Sequence, residues 1–355
     1  MMFGHNDFPA VQKIWDDFWE GKNREPVYSI TIPKNGKEIH PPPVYLSWCN
    51  GDYQGTADAL ARWYESCEFY GSAIPYFYET FGPDTFSALL GADLSYTPPI
   101  NDTSRGNSWA VPVLKNLEKT DIHFDPDGKW WNNTAAFHDV LKKRLGDTVM
   151  ITLPTFIAGL DALSALYSPE ALCMALLDVP ELVHHALDQI NTAYTEIVKA
   201  CSKLFEIEKY GSITRNGAYS SGIINFPQCD FSCMISPEMF EEFAMQSLRH
   251  EFSFMRGGEY HLDGPGALKH LDRLLQIPEL DIIQWVPGAG EAKKQDWTDL
   301  YMRILKSGKG VVMKTHVDEA EALLKKYNSK KMYIIISGIK SQMQAEDFLA
   351  KVNAV

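Results

Sequence analysis

The sequence predicts an α/β protein that folds as a single (β/α)₈ barrel across residues 1–355, with an extra helix before the first strand and a long insertion after the second. Eight β-rich segments alternate with helical segments, and strands joined by helices pair in parallel in a sheet whose faces the helices cover. One such barrel takes roughly 200 to 400 residues. The alternative, a doubly wound open sheet, is disfavoured because no GxGxxG turn follows an early strand.

The predicted strands are short runs rich in β-branched and aromatic residues, bounded by turn-forming residues. In chain order they cover residues 26–32, 73–77, 149–153, 223–230, 259–263, 281–285, 310–314 and 332–336. This spacing leaves room for a helix after each strand.

The predicted helices follow from apolar residues at helical spacing and from capping residues. The first is indicated by four apolar residues, Val11, Ile14, Trp15 and Phe18. Later helices are predicted over residues 56–70, 134–145, 168–205, 236–255, 266–275, 296–306, 318–327 and 342–352. Pro180 divides the longest of these into two, because proline lacks the amide hydrogen that a helix interior needs.

The insertion is predicted over residues 82–132, a segment rich in Pro, Asn, Asp and Trp. Irregular segments of this length are usually functional lids or disordered. Three tryptophans, Trp109, Trp130 and Trp131, favour a packed structure. It either closes over the mouth of the barrel or thickens its wall.

Composition narrows the class of protein. The net charge of -13 opposes binding to nucleic acid or to an anionic membrane, since each requires a basic face. No apolar run approaches the roughly 20 residues that span a bilayer. Six cysteines without disulfide-framework spacing predict free thiols in a reducing compartment. Residues 1–26 lack the apolar core of a signal peptide, so a cytoplasmic location is expected.

The strongest candidate site is the pair His261 and Asp263, which closes the fifth predicted strand. Residues i and i+2 of a strand point to the same side, and strand ends meet at the mouth of a barrel. The imidazole and carboxylate can therefore hold a divalent metal or act as a carboxylate-oriented general base. The alternative is a buried histidine bonded to a carboxylate for packing.

Two further carboxylates and one thiol stand at predicted strand ends. Asp230 and Glu79 close apolar segments, where a carboxylate must be paired or functional, so both are candidate catalytic residues. Cys229 is a candidate metal ligand. Burial in the core is the alternative for Cys229, because cysteine is among the most buried residue types.

Trp285 and Lys314 close the sixth and seventh predicted strands and are candidate substrate-binding residues. An indole can serve as a platform for a substrate, and a lysine can pair with a phosphate or carboxylate. An ordinary packed tryptophan is the alternative for Trp285.

At these residues the chain resembles the uroporphyrinogen decarboxylase-like superfamily, from about Val27 onward. The resemblance is carried by residues 229–240, 260–270 and 282–290, which look like a branch related to corrinoid-dependent methyltransferases. It implies a (β/α)₈ barrel with one of two activities. These are the cofactor-free decarboxylation of uroporphyrinogen and zinc-dependent methyl transfer between corrinoid proteins and thiols.

The chain departs from both patterns. The decarboxylases carry arginines after the first strand, whereas residues 28–43 contain none, although Glu79 falls near the position of their essential aspartate. The methyltransferases use a His-x-Cys pair and a later cysteine. Here His261 is kept, Asp263 replaces the cysteine, and no cysteine follows Cys233. A thiolate-rich zinc site is therefore excluded, and a site with harder oxygen ligands is expected.

The leading hypothesis is a methyltransferase-like barrel enzyme that acts on a small molecule through a divalent metal, with zinc as the candidate. A corrinoid is expected on a separate partner protein, because this chain lacks an Asp-x-His-x-x-Gly motif. Two alternatives stay open. One is a metal-free decarboxylase or lyase, and the other is a non-catalytic barrel that binds a ligand or a corrinoid.

Overall fold

The computed structural model describes residues 2–5, 7–34, 41–42, 49–97, 107–288 and 295–352. Its strands are β1 (Val27–Pro33), β2 (Cys67–Gly71), β3 (Tyr76–Tyr78), β4 (Asp93–Thr97), β5 (Asn107–Val111), β6 (Met150–Thr152), β7 (Ser212–Ile213), β8 (Tyr219–Ser220), β9 (Glu259–Asp263), β10 (Ile282–Val286), β11 (Gly310–His316) and β12 (Met332–Ser337).

Six strands form the main sheet in the order β2-β1-β12-β11-β10-β9. All neighbours pair in parallel except β2, which runs antiparallel to β1. A separate parallel pair joins β3 and β6, and the hairpins β4–β5 and β7–β8 are antiparallel. Beyond β9, a single parallel bridge joins Gln228 to His261. The architecture is therefore mixed α/β around a largely parallel sheet, as the sequence predicts.

The α-helices are α1 (Phe8–Trp19), α2 (Tyr53–Glu65), α3 (Thr85–Leu89), α4 (Lys129–Leu145), α5 (Gly159–Tyr167), α6 (Pro169–Asp178), α7 (Pro180–Leu204), α8 (Ile207–Tyr210), α9 (Pro237–Met239), α10 (Met245–Phe252), α11 (Leu271–Leu274), α12 (Thr298–Lys306), α13 (Val317–Tyr327) and α14 (Gln342–Val352). A π-helical turn, Phe240–Ala244, joins α9 to α10. Short 3₁₀ turns cover Gly146–Thr148, Asp230–Met234 and Pro265–His270.

The two faces of the main sheet have different roles. Parallel register aligns His261 with Gln284 and Gln284 with Val312, so these side chains share one face, together with Lys314 two residues further on. We call this the site face. The opposite face, called the helix face, carries residues such as Tyr260 and packs against the surrounding helices in the larger of two apolar cores.

Helix α1 covers the ends at which the strands begin. Its buried apolar residues contact the first residues of several strands in a second apolar core, which includes Val27, Met150, Ile282 and Tyr333. Trp15 is the centre of this contact, with its ring 4.8 Å from that of Tyr333. Because α1 fills the starting ends, the opposite ends of the strands remain available for a site.

Several predicted elements differ in extent. The predicted helix over 56–70 ends at Glu65, since the chain turns there and pairs with β1 as β2. The predicted strand over 223–230 is irregular apart from the bridge at Gln228. There Pro227 has no N–H to donate, and the side-chain oxygen of Asn225 accepts a hydrogen bond from the backbone N–H of Phe226 at 2.8 Å. The division of the long helix at Pro180 is confirmed, with α6 and α7 on either side.

The predicted insertion contains α3 and the hairpin β4–β5, and residues 98–106 lie outside the described part. No single helix among the described residues has the length and apolar composition needed to cross a membrane. Helices α5 and α6 meet that test only as a pair, bent by 111°.

Candidate metal and active site

Three side chains converge where β9 ends. Asp230, His261 and Asp263 each offer one ligand atom, and these atoms lie within 4.8 Å of one another. Strand β9 places two of them on the site face, with 4.0 Å between His261 Nε2 and Asp263 Oδ2. The parallel bridge between Gln228 and His261 brings Asp230 alongside. We call this group the Asp-His-Asp cluster.

The imidazole of His261 is held in the form that can bind a metal. Its Nδ1 hydrogen bonds with Oε1 of Gln284, the neighbouring residue on β10. An amide oxygen can only accept, so Nδ1 carries the proton and Nε2 keeps its lone pair. Burial, and then the positive charge of Arg215, lower the pKa of His261 to about 4. The ring is therefore neutral at pH 7.

Asp230 is fixed by the residues around it. Gln228 Nε2 donates to its Oδ2 at 2.9 Å. Asp161 of α5 accepts the backbone N–H groups of Asp230 and Phe231, each at 2.8 Å. Burial of the carboxyl, and then the negative charge of Asp263, raise the pKa of Asp230 to about 6. The residue still keeps part of its surface exposed, so a substrate can approach it.

The cluster meets the chemical requirements of a divalent cation. Burial raises the pKa of Asp263 as well, and its Oδ1 is buried without a hydrogen-bond partner among the described residues. Two neighbouring carboxylates that each resist ionisation would be stabilised together by a cation between them. In the tetrahedral geometry that zinc prefers, two ligand atoms about 2.1 Å from the ion lie about 3.4 Å apart, so the groups would need to move together by roughly an ångström.

Asp230 occupies the position in the cluster that the sequence assigned to Cys229. Successive residues of an extended chain point to opposite sides, and the thiol of Cys229 is buried near Tyr260 of the helix face. Burial raises its pKa well above the usual value, which opposes the thiolate form that a metal requires. Burial therefore disfavours Cys229 as a metal ligand, and that role stays a prediction.

The structure does not bring Glu79 to the cluster. Its carboxyl is fully buried, with 3.9 Å between Glu79 Oε2 and Nδ1 of His138 on α4. Burial raises the pKa of Glu79 well above its usual value and lowers that of His138 to about 4. Each side chain is thus held toward its neutral form, and a catalytic role for Glu79 stays a prediction.

The two predicted substrate-binding residues lie on opposite faces of the sheet. Trp285 is 5% exposed and packs on the helix face against Trp297, with ring centroids 4.9 Å apart. Trp285 thus has the surroundings of an ordinary packed tryptophan, and it does not lie beside the Asp-His-Asp cluster, where a substrate platform was expected. Lys314 lies on the site face and lines two neighbouring cavities of about 680 and 750 Å³.

Sequence reasoning missed Gln284, Asp161 and Arg215. Gln284 meets His261 only through the register of β9 against β10, and Asp161 reaches Asp230 across 69 residues of chain. Arg215 stands in the turn after β7, and its charge influences every member of the cluster. An arginine just past a buried strand is the signal that could have found it.

The fold and the cluster together define an α/β protein with a candidate metal site at the strand ends. No protein-family model and no curated protein matches this sequence. Among solved structures, the chain is similar to a methyltransferase from Methanosarcina mazei, with a TM-score of 0.60 and 12% sequence identity. The match covers 97% of this chain and 98% of that one. At this identity the likeness establishes a shared fold over the whole chain.

Proposed function

We propose that the protein is a methyltransferase-like enzyme that acts on a small molecule through a divalent metal held by Asp230, His261 and Asp263. The observation that carries the proposal is the convergence of these ligands at the carboxyl ends of the strands, around a neutral histidine. The full-length fold likeness to a methyltransferase supports it. Membership of the uroporphyrinogen decarboxylase-like superfamily, with closure of the sheet into a (β/α)₈ barrel, is part of the same proposal.

A metal at this site would act as a Lewis acid, polarising a substrate heteroatom and stabilising the charge that develops as its bond to a methyl group breaks. One imidazole and two carboxylates suit zinc, which binds both ligand types, and three protein ligands leave a coordination position for substrate. The carboxylates also admit harder cations than a thiolate site does.

The surrounding residues would hold the ligands in place. Gln284 fixes the tautomer and orientation of His261, and Gln228 orients the carboxylate of Asp230. Asp161 anchors the backbone that carries Asp230. When the methyl group leaves, the bonding electron pair stays on the substrate heteroatom, and the methyl group passes to a nucleophilic acceptor. A corrinoid on a separate protein is the acceptor we propose.

Metal content of the purified protein tests the proposal. We expect one zinc per chain in the wild type, measured by plasma mass spectrometry after incubation with zinc and desalting at pH 7.5. The double variant His261→Ala, Asp263→Ala should lose it. Asp121→Ala, His123→Ala is the matched control, since this exposed pair has the same residue types at the same spacing and should leave the metal content unchanged.

The contrary results are equally definite. Wild-type protein that retains no zinc, manganese or other divalent metal would refute the metal site and favour the metal-free decarboxylase or lyase. Full turnover of a methyl donor in the presence of a strong chelator would refute the proposed chemistry even where a metal binds.

A further inference from the structure

We propose that Arg215 and Lys314 form a binding site for the carboxylate of a small organic acid, whose apolar body lies in the adjoining aromatic cavity. The inference deepens the proposed function by giving its substrate class. Binding of the acid does not depend on the metal, so the two proposals fail separately.

Arg215 is a half-buried cation that pairs with no carboxylate among the described residues. Its guanidinium lies over the ring of Phe226, with Cζ 4.4 Å from the ring centroid. Within the described ranges it makes no ion pair and donates no side-chain hydrogen bond. Burial lowers its pKa, which means that the surroundings disfavour the bare charge. Five N–H donors in a partly desolvated position are stabilised when an anion binds them.

The turn that carries Arg215 is held rigidly by its neighbours. Thr214 Oγ1 and Asn216 Nδ2, on either side of Arg215, donate to the buried carboxylate of Glu259 at 2.6 and 2.8 Å. Tyr76 donates from its hydroxyl to the carbonyl of Arg215 at 2.7 Å. Both hydrogen bonds to Glu259 come from the neighbours of Arg215, and the guanidinium takes no part in them. A fixed donor loses little entropy when it binds a ligand.

Lys314 supplies a second positive charge at the same place. It projects from the site face of β11 and lines the same two cavities as Arg215. Across the part of the chain that the structure describes, its ammonium group pairs with no carboxylate. Two unpaired cations on one cavity wall favour an anionic ligand over a neutral one.

The cavity indicates what the rest of the ligand is. The cavity of about 680 Å³ is lined by aromatic side chains from α2, β2 and β3, including Trp63, Tyr64, Phe69, Tyr76 and Phe77. Its size is in the usual range for small-molecule sites, which are mostly apolar with a few placed polar groups. An organic acid with an aromatic or aliphatic body fits this combination better than a hydrophilic inorganic anion.

The anion site adjoins the Asp-His-Asp cluster. The ring of Phe226, which contacts Arg215, lies 5.2 Å from the ring of His261 between centroids. The charge of Arg215 also lowers the pKa of His261, Asp230 and Asp263, although burial acts more strongly on each. An acid bound by Arg215 is therefore held beside the proposed reaction centre.

Calorimetric titration of the metal-free protein with benzoate and with benzamide, its neutral analogue, tests the proposal. We expect benzoate to bind and benzamide to bind at least ten-fold more weakly. Hydrogen bonds to charged groups contribute about 1.5–3 kcal/mol, so Arg215→Gln should weaken benzoate binding by about 10- to 150-fold. The benzoate affinity of Arg215→Lys should lie between those of the wild type and Arg215→Gln, because lysine keeps the positive charge but lacks the planar guanidinium.

Three further variants complete the design, of which the first is a second test and the other two are controls. Lys314→Met should weaken benzoate binding severalfold and provides the test if Arg215→Gln does not fold, as judged by circular dichroism. Lys13→Met removes an exposed lysine of α1 and should leave binding unchanged. The variant His261→Ala, Asp263→Ala should still bind benzoate, which separates this site from the metal site.

The proposal is overturned if benzoate does not bind, if benzamide binds equally well, or if Arg215→Gln and Lys314→Met both leave benzoate affinity unchanged. Inorganic phosphate that binds more tightly than benzoate would also overturn it, since the site would then select a small hydrophilic anion.

Discussion

Replacing Gln284 by leucine tests how far the Asp-His-Asp cluster depends on a residue that is not itself a proposed metal ligand. Leucine has a similar volume but cannot accept the hydrogen bond from His261 Nδ1. The buried imidazole N–H would then have no partner, which costs about 1–3 kcal/mol. The tautomer with the proton on Nε2 would also become competitive, and that form has no lone pair on Nε2, the nitrogen that points to Asp263.

Loss of such an outer partner typically weakens metal binding by about 10- to 100-fold, or about 1.4–2.7 kcal/mol. We therefore expect Gln284→Leu to have a zinc dissociation constant 10- to 100-fold above that of the wild type, measured by competition with a chelating dye at pH 7.5. Gln246→Leu, at an exposed position of α10, is the matched control. Equal affinities for Gln284→Leu and the wild type would refute the reasoning about the tautomer.

Three further results are expected. Metal affinity should fall about ten-fold per pH unit below pH 6, because binding must displace the proton of Asp230, whose pKa is raised to about 6; a flat profile from pH 7 to 5 would contradict this. Glu79→Gln should gain stability relative to the wild type, in urea denaturation, by about 1.4 kcal/mol per pH unit as the pH rises from the unfolded-state pKa of a glutamate toward the folded-state pKa of Glu79. The reason is that burial raises the folded-state pKa of Glu79, so the wild type loses stability as the pH rises toward that pKa. If Glu79→Gln were instead several kcal/mol less stable than the wild type at pH 7, Glu79 and His138 would form a charged pair. Asp161→Ala should lower the free energy of unfolding by about 1–3 kcal/mol, since two N–H groups lose their acceptor, and it should weaken metal binding; Asp161→Asn, which keeps one acceptor, should lose less, and equal losses in the two variants would argue against the anchoring role.

The order of strands and helices was largely predictable from the sequence. Alternating β-rich and helical patterns predict a parallel sheet, because each segment has a local periodicity that its own residues determine. The same local rule predicts that His261 and Asp263 share a face, since residues two apart in a strand project together. Both features depend on residues that are neighbours in the chain.

The remaining features of the site depend on tertiary structure. Cys229 and Asp230 are adjacent, so a shift of one residue along the chain decides which of the two side chains lies beside His261. That shift depends on the irregular backbone around Pro227, where no regular strand forms. Gln284 reaches His261 through register, which local sequence does not encode. The direction of Glu79 toward His138 likewise depends on how α4 packs.

Arg215 is the clearest case of this division. By sequence it is one arginine in a polar turn, and its place just past a short apolar segment is the single local signal of a role. In the fold its guanidinium lies over the ring of Phe226, its neighbour Thr214 donates to Glu259, and Lys314 lines the same cavity. The sequence alone determined which residues could carry charge and hydrogen bonds. Only the packing of distant segments decided which of those charges would be left without a partner, because that depends on the distances between elements far apart in the chain.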